Sequence, residues 1–335
     1  MMPAFEASAV TGPGAMPIRR RIRSSGQRPW VTREDVQFAL ELPILWLAAL
    51  AVPERGWRQL CYRLEALKSW LRFHDTSAVE RIAARVLGPS RPAFDARAFA
   101  LESAAGRSEH HMQILRARSP WGWSATPDLQ GTEHLERALA AGNGAVLWVA
   151  HFCFNALATK KALDIAGYRA WHLSRPEHGF SKSRLGIALF NGIRVGAEVP
   201  HLAGRIIIDR DKPMTATLAA QRRLRKNEVV SITAGAWEGA RLAQLDILGG
   251  KLELAVGAPG IARLAGAALL PVFTVRGPAD ERIRVVIEAP ISIAAEGSMD
   301  DAVQDAARQF GALLESYIRR YPAEWRDWKN LKVQT

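Results

Sequence analysis

The stretch that most constrains the fold runs from residue 131 to residue 175. "GTEHLERALAAGNG" has helical spacing, opened by Thr132 and closed by glycines. "AVLWVA" is an unbroken apolar run, "NALATKKALDIAGY" is helical again and stops at Gly167, and "RAWHLSR" is extended. A run that is apolar on both of its faces must be covered on both, which is the situation of a strand inside a helix-covered sheet. The pattern recurs downstream. "RIIID", "EVVSITA", "ALLPVFTVR" and "RIRVVIEAPI" read as strands. "TLAAQRRLRKN", "GAPGIARLAG" and the long "DDAVQDAARQFGALLESYIRR" read as helices. The expected fold class is therefore α/β, with a mixed, mostly parallel central sheet and helices on both faces.

Upstream of residue 126 the pattern is different. Residues 1–30 are small, polar and basic, and predict a disordered tail without the apolar core of a secretory signal. Residues 31–125 predict a helical region broken near "LGPSRPAFD", and 126–335 form the α/β domain. Within the helical region, "VQFALELPILWLAALAV" contains Glu41 and Pro43 and is too short and interrupted to predict a membrane span. In the next stretch Trp57, Leu60, Leu64, Leu67 and Leu71 share one helical face, with basic residues around them. Together these predict a membrane-proximal region lying against anionic lipid, the alternative being a helix pair that packs on the core and keeps a solvated basic face.

Charge points the same way. A net charge of +12 and an isoelectric point near 10.3 suit an acidic or phosphorylated partner or an anionic surface. The eleven tryptophans are not interleaved with basic residues as stacking platforms would be, so no nucleic-acid partner is expected. Two cysteines, Cys61 and Cys153, make neither a disulfide framework nor a zinc motif. The glycines of "LDILGGKLELAVGAPGIARLAGAALLPVF" match no phosphate loop and read as turns and helix starts.

His151 is the residue with the clearest chemical potential. It ends the "AVLWVA" strand, and ligands of alternating α/β units bind beyond the carboxyl ends of the strands. There it can serve as a general base, or simply cap the strand end through ordinary hydrogen bonds. Cys153, two residues on, does not face it and reads as a small packed thiol.

Four segments in order, "LWVAHFCFNALA", "HLSRPEHG", "LGGKLELAVGAPGIARLAGAALLPVF" and "IRRYPAEWRDW", resemble the lauroyl/myristoyl acyltransferases of lipid A biosynthesis, within the lysophospholipid acyltransferase superfamily. The resemblance spans about residues 130 to 330. It implies transfer of a fatty acyl chain from an acyl carrier protein or coenzyme A thioester to an amphiphilic, glycolipid- or phospholipid-like acceptor. It implies no metal or other cofactor, and peripheral attachment to the cytoplasmic face of a bacterial inner membrane. It casts His151 as the base, held by an acid five positions later. That position is Ala156, and the family's second acidic segment falls on Ala234 to Ala236.

Two residues are expected to replace the acid. Asn155, at i+4, can share a helical face with His151 and fix its tautomer. Glu238, in "AWEGAR", can supply charge, and "EGAR" and "IIIDR" resemble acceptor-binding segments of glycerolipid acyltransferases. Arg175, Arg210 and Arg241 are the arginines expected beside an anionic head group. The competing expectations are a non-catalytic relative that binds acyl chains, lipids or a partner enzyme, and an acyl-thioester enzyme of altered chemistry.

Overall fold

The computed structural model describes residues 5–6, 18–21, 28–209, 211–235, 239, 241–276 and 282–333. Four helices come first: α1 (Arg33–Ala51), α2 (Trp57–Trp70), α3 (Ser77–Leu87) and α4 (Ala96–Ala117). The break between α3 and α4 falls on the "LGPSRPAFD" stretch, as expected. α1 opens on a capping box in which Thr32 and Asp35 bond reciprocally. Asp35 also accepts from the Ser181 hydroxyl, so the start of α1 is fixed to the α/β domain.

Seven strands form the central sheet: β3 (Asp128–Gln130), β4 (Ala145–Val149), β5 (Ala170–Ser174), β6 (Leu202–Ile207), β7 (Val229–Thr233), β10 (Ala268–Arg276) and β11 (Ile283–Ile287). Their order is β3-β11-β10-β4-β7-β5-β6. β10, β4, β7, β5 and β6 run parallel, while β11 pairs antiparallel with β10 and carries β3 alongside it. The helices α5 (Thr132–Ala140), α6 (Ala158–Ile165), α7 (Arg184–Gly186), α8 (Gly192–Glu198), α9 (Pro213–Leu224), α10 (Gly257–Ala265) and α11 (Met299–Arg320) complete the α/β part.

The apolar "AVLWV" run explains the layering, because successive side chains of a strand point to opposite faces. Val146 and Trp148 join a core with α9, α10 and α11, where Trp148 stacks on Phe310 at 4.1 Å. Ala145, Leu147 and Val149 face the other way, into a core with Leu135 of α5 and Ala162 and Leu163 of α6. A mixed, mostly parallel sheet covered on both faces is the expected class.

A second, smaller sheet was not foreseen. β8 (Arg241–Ile247) and β9 (Gly250–Ala255) form a hairpin whose two-residue turn, Leu248 and Gly249, has φ of 54° and 70°. Positive φ at both turn positions matches the right-handed twist of the strands. Its order is β1-β2-β8-β9-β12, from β1 (Phe5–Glu6), β2 (Arg19–Arg21) and β12 (Lys332–Val333). Two short pieces of the tail expected to be disordered thus pair as strands, because β8 offers them an open edge. Residues 28–30 are placed too, Pro29 and Trp30 accepting backbone bonds from Arg184 and Leu185, and the remainder of the tail lies outside the described residues.

α2 departs from its expected face. Its buried positions are Trp57, Cys61 and Glu65, whereas Leu67 and Leu71 are exposed. Glu65 tolerates burial because His74, Lys68 and Ser108 all bond its carboxylate. Burial alone would raise its pKa; those partners hold it down to about 2.

One buried ion pair joins the helical layer to the sheet. Arg276, the last residue of β10, donates to Glu109 of α4 at 2.6 Å, with the two side chains 8% and 7% exposed. Breaking one side of such a pair leaves a buried charge, at a cost of about 3–5 kcal/mol, whereas removing both costs far less. Arg276→Met should therefore lower unfolding free energy by that amount in urea titrations. Arg276→Met with Glu109→Leu should recover most of it; a double variant no more stable than the single would refute the coupling.

Candidate functional site

The carboxyl ends of β4, β5, β7 and β10 bring together His151, Ser174, Ala234 and Arg276, the edge at which α/β sheets bind ligands. The chain after β4 does not enter a helix at once. Residues 153–157 form turns and α6 begins only at Ala158. Asn155 is buried in those turns and shares no helical face with His151, so the expected i+4 pairing is not made. The turns persist because another segment occupies the backbone that a helix would use. Cys153 N–H donates to Glu324 O at 2.8 Å, Arg326 N–H donates to His151 O at 3.1 Å, and Phe152 and Trp325 form an antiparallel bridge.

That segment also brings a carboxylate to His151. His151 Nδ1 lies 3.0 Å from Asp327 Oδ1, across 176 positions of sequence. Asn330 Nδ2 donates to the same oxygen at 2.9 Å, which fixes the carboxylate. A carboxylate at Nδ1 assigns the proton to that nitrogen and leaves Nε2 as the basic one. Burial pushes the His151 pKa down. Asp327 pulls it up, and Arg326 and Arg194 push it down again; the net direction is below the ordinary value, so the ring is neutral near pH 7.

The cleft at His151 is walled by Ala150, Ala234, Gly235, Leu252, Phe310, Trp325 and others, and encloses about 10 Å³. That is room for one water at most. Cys153 is 1% exposed and burial raises its thiol to about 11. It packs against α4, where a methyl group on Gly106 would stand 3.0 Å from its Sγ. It is a packed thiol, as its position predicted.

The other expected residues fall as follows. Arg241, the first residue of β8, ion-pairs with Asp300 at the start of α11. Arg175 follows β5 at the ligand-binding edge, where its backbone oxygen accepts from Arg205 at 3.2 Å. Glu238 and Arg210 lie outside the described residues.

A charged network unseen in the sequence lies beside the same edge. Glu198 of α8 is 1% exposed, and its carboxylate takes Lys160 at 2.6 Å, His178 at 2.7 Å and Arg194 at 2.7 Å. Burial would raise its pKa, but Lys160 and Arg194 outweigh this and hold it well below the carboxylate range. Among the described residues, His172, His178 and Glu198 are the one group that brings three ligand-type atoms within 4.8 Å of one another. Two cations already on the carboxylate oppose a divalent ion there, and the group is better described as an ion-pair hub. The sequence signal for the hub was weak, because its members come from four separate elements.

Compared with known protein families and with curated proteins, the chain matches no family model and no curated sequence.

The histidines make the fold sensitive to acid. His110, His111, His151, His172 and His178 are all held below their ordinary pKa of about 6.5, chiefly by burial, with His111 near 3 and His178 near 4. A depressed base stays neutral in the fold and protonates first in the unfolded chain. Its contribution is complete above pH 6.5 and drains away as pH falls below it. Glu324, raised to about 7 by burial, works in the opposite sense between pH 7 and its ordinary value. One such group opposes five. The melting temperature should be level between about pH 7 and 8 and fall by roughly 5 °C or more by pH 5.5, at about 1 kcal/mol per histidine. A flat profile across that interval would contradict this burial pattern.

Proposed function

We propose that the protein is an acyltransferase that moves a fatty acyl chain from a carrier-protein or coenzyme A thioester to a hydroxyl of an amphiphilic acceptor. The observation that carries the proposal is the 3.0 Å contact of His151 Nδ1 with Asp327 at the carboxyl edge of the sheet. A neutral imidazole with a carboxylate behind it can take the proton of an attacking hydroxyl and be stabilised as imidazolium. The acceptor oxygen bonds to the thioester carbonyl carbon, and His151 Nε2 receives the hydroxyl proton. Collapse of the tetrahedral intermediate breaks the C–S bond, and the proton passes from the imidazolium to the leaving sulfur. Resemblance to the lipid A acyltransferases supports the same reading and implies the acyl carrier protein as donor partner.

The narrow cleft favours a second reading. With about 10 Å³ beside His151, an acyl chain enters only if Trp325, Phe310 or a neighbouring wall moves. A relative that binds lipids or a partner enzyme without catalysis needs no such movement. Mass spectrometry of lipid extracts from cells with and without the gene separates the two readings and names the acceptor.

Given the acceptor, His151→Ala should abolish turnover, and Asp327→Asn should lower kcat by about a thousand- to ten-thousand-fold with the fold intact. Asn155→Ala should cost under about tenfold, since Asn155 does not hold the ring. The rate should fall as pH drops through the His151 pKa, below 6.5. In Asp327→Asn that limb should move to still lower pH, because the carboxylate is the group that raises the pKa. Full activity in His151→Ala would refute the mechanism.

The membrane-proximal role belongs to the same proposal. Among the described residues no helix is long and apolar enough to cross a membrane. Yet Leu40, Leu47 and Trp70 are 65%, 68% and 73% exposed, with Val36, Ile44, Trp46, Leu71 and Phe73 also outside. Arg33, Arg63, Arg72 and Arg184 are exposed on the same segments or on α7. Trp30 stacks on Arg184, and Asp35 bonds Ser181, so the start of α1 is tied to the chain that follows β5 at the ligand-binding edge. Apolar side chains rimmed by arginine suit the headgroup region of an anionic bilayer, here assigned to the cytoplasmic face of an inner membrane. Leu40→Ser with Leu47→Ser and Trp70→Ser should fold normally but stop floating with anionic vesicles. Undiminished flotation would remove this surface from the proposal.

A further inference from the structure

We propose that Arg326, Arg107 and Arg194 form a phosphoryl-binding site in the recess between α4, α8 and residues 322–327, across that segment from the His151 cleft. Alternation along the segment makes the separation. Trp325 has extended backbone, and Trp325 and Asp327 line the His151 cleft whereas Arg326 does not. Arg326 is tied down through its backbone N–H on His151 O. Its guanidinium makes no hydrogen bond or ion pair to any described residue.

α4 and α8 complete the recess. α4 reaches the same place through Gly106, which abuts Cys153, and carries Arg107 one residue on. Among the described residues the Arg107 guanidinium makes one long contact, 3.4 Å to the His74 ring. Arg118 of α4 donates to Gly196 O, which holds α8 and its Arg194 against α4. Arg194 gives one nitrogen to Glu198, and that carboxylate is shared with Lys160 and His178. The balance in the recess is cationic.

A second observation points to a ligand. His110 and His111 lie one turn beyond Arg107; His110 is 1% exposed, and His111 is half-buried with its Nδ1 inside. Neither ring nitrogen of His110, nor Nδ1 of His111, has a hydrogen-bond partner. Buried polar atoms left without partners are rare and expensive, and Arg194 and Arg326 act electrostatically on both rings, Arg107 on His111. Burial pushes the Arg326 guanidinium down to about 10, with Arg107 and Arg194 adding to it and Cys153 and Asp327 opposing it. An oxyanion with several acceptor atoms answers all of this at once: it gives the guanidinium its acceptors and offers oxygens to neutral imidazole N–H groups. A phosphoryl group is the fitting chemistry, carried either by the phosphopantetheine arm of an acyl donor or by the head group of an acceptor.

The site does not depend on acyl transfer, and its test uses binding alone. The full-length protein is melted with inorganic phosphate and with chloride at matched ionic strength. A phosphate dissociation constant on the order of 1 mM gives a rise of about 3 °C at 10 mM phosphate over chloride. Arg326→Gln should lose that rise, and Arg107→Gln should reduce it. His151→Ala should keep it, which separates this site from the catalytic reading. Because Arg326→Gln removes an uncompensated cation, its melting temperature without phosphate should be no lower than that of the parent. 4′-Phosphopantetheine and glycerol 3-phosphate, titrated in turn, assign the source: tighter binding of the first marks a donor site, of the second an acceptor site. No phosphate-specific rise in the parent, an undiminished rise in Arg326→Gln, or a lower unliganded melting temperature for that variant overturns the proposal.

Discussion

The docking of residues 322–330 onto the turn after β4 is the interaction on which the rest of the site depends. One short antiparallel bridge, Phe152 with Trp325, carries two further backbone bonds beside it, from Cys153 to Glu324 and from Arg326 to His151. These bonds keep residues 153–157 out of helix, deliver Asp327 to His151, and turn Arg326 toward α4. The docked segment is held by large buried aromatics. Trp325 and Trp328 are each 1% exposed and stand edge to face at 5.1 Å, and Trp328 meets Phe99 of α4 the same way at 5.4 Å. Arg276 adds a polar clamp, its backbone N–H donating to both Glu324 oxygens at 3.2 and 2.9 Å while its side chain holds Glu109. The C-terminal segment is therefore part of the site and not an appendage to the last helix.

This arrangement explains what was and was not legible in the sequence. The central strands were readable because "AVLWVA" and "ALLPVF" are apolar on both faces, a local property. The long α11 was readable from its spacing, and the β8–β9 hairpin was not, because "ARLAQLDILGGKLELAV" carries its turn on Leu-Gly and not on an Asn-Gly or Asp-Gly pair. His151 was legible as the end of a strand. Its partner was not: local spacing pointed to Asn155 and the resemblance to Glu238, whereas Asp327 is 176 positions away. A signal did exist. "EWRDW" places a carboxylate between two tryptophans, and an acid flanked by residues that must be buried needs a partner.

The same limit applies to the charged hub. Lys160, His172, His178, Arg194 and Glu198 come from α6, β5, the loop after it and α8. Each alone looks like a residue on a solvated rim. Only folding shows that Lys160 and Glu198 are 5% and 1% exposed. Spacing within one element predicts neighbours on that element, and a site assembled from four elements has no such spacing to read.

Burying so many ionisable groups at one sheet edge has an energetic consequence that argues about purpose. Apolar packing would fill the space around His110, His111 and Arg326 more stably than unpaired imidazoles and an uncompensated guanidinium do. The protein keeps ordinary aliphatic packing elsewhere: α5, α6, α9 and α10 meet the sheet with leucine, isoleucine and alanine. Among the described residues, buried polar atoms without partners fall chiefly on α4, at His110, His111, Gln113 and Arg116, with Arg276 and Glu228 the others. Strain and unsatisfied groups gather at functional sites because a structure selected only for stability would not retain them. Asp327 follows the same logic in the opposite direction. Its oxygen is already met by Asn330 Nδ2, so the carboxylate is held in place before His151 changes charge. A proton arriving on the ring then meets an acceptor that needs no reorganisation, which is the condition under which a buried charge pair helps a reaction more than it costs the fold.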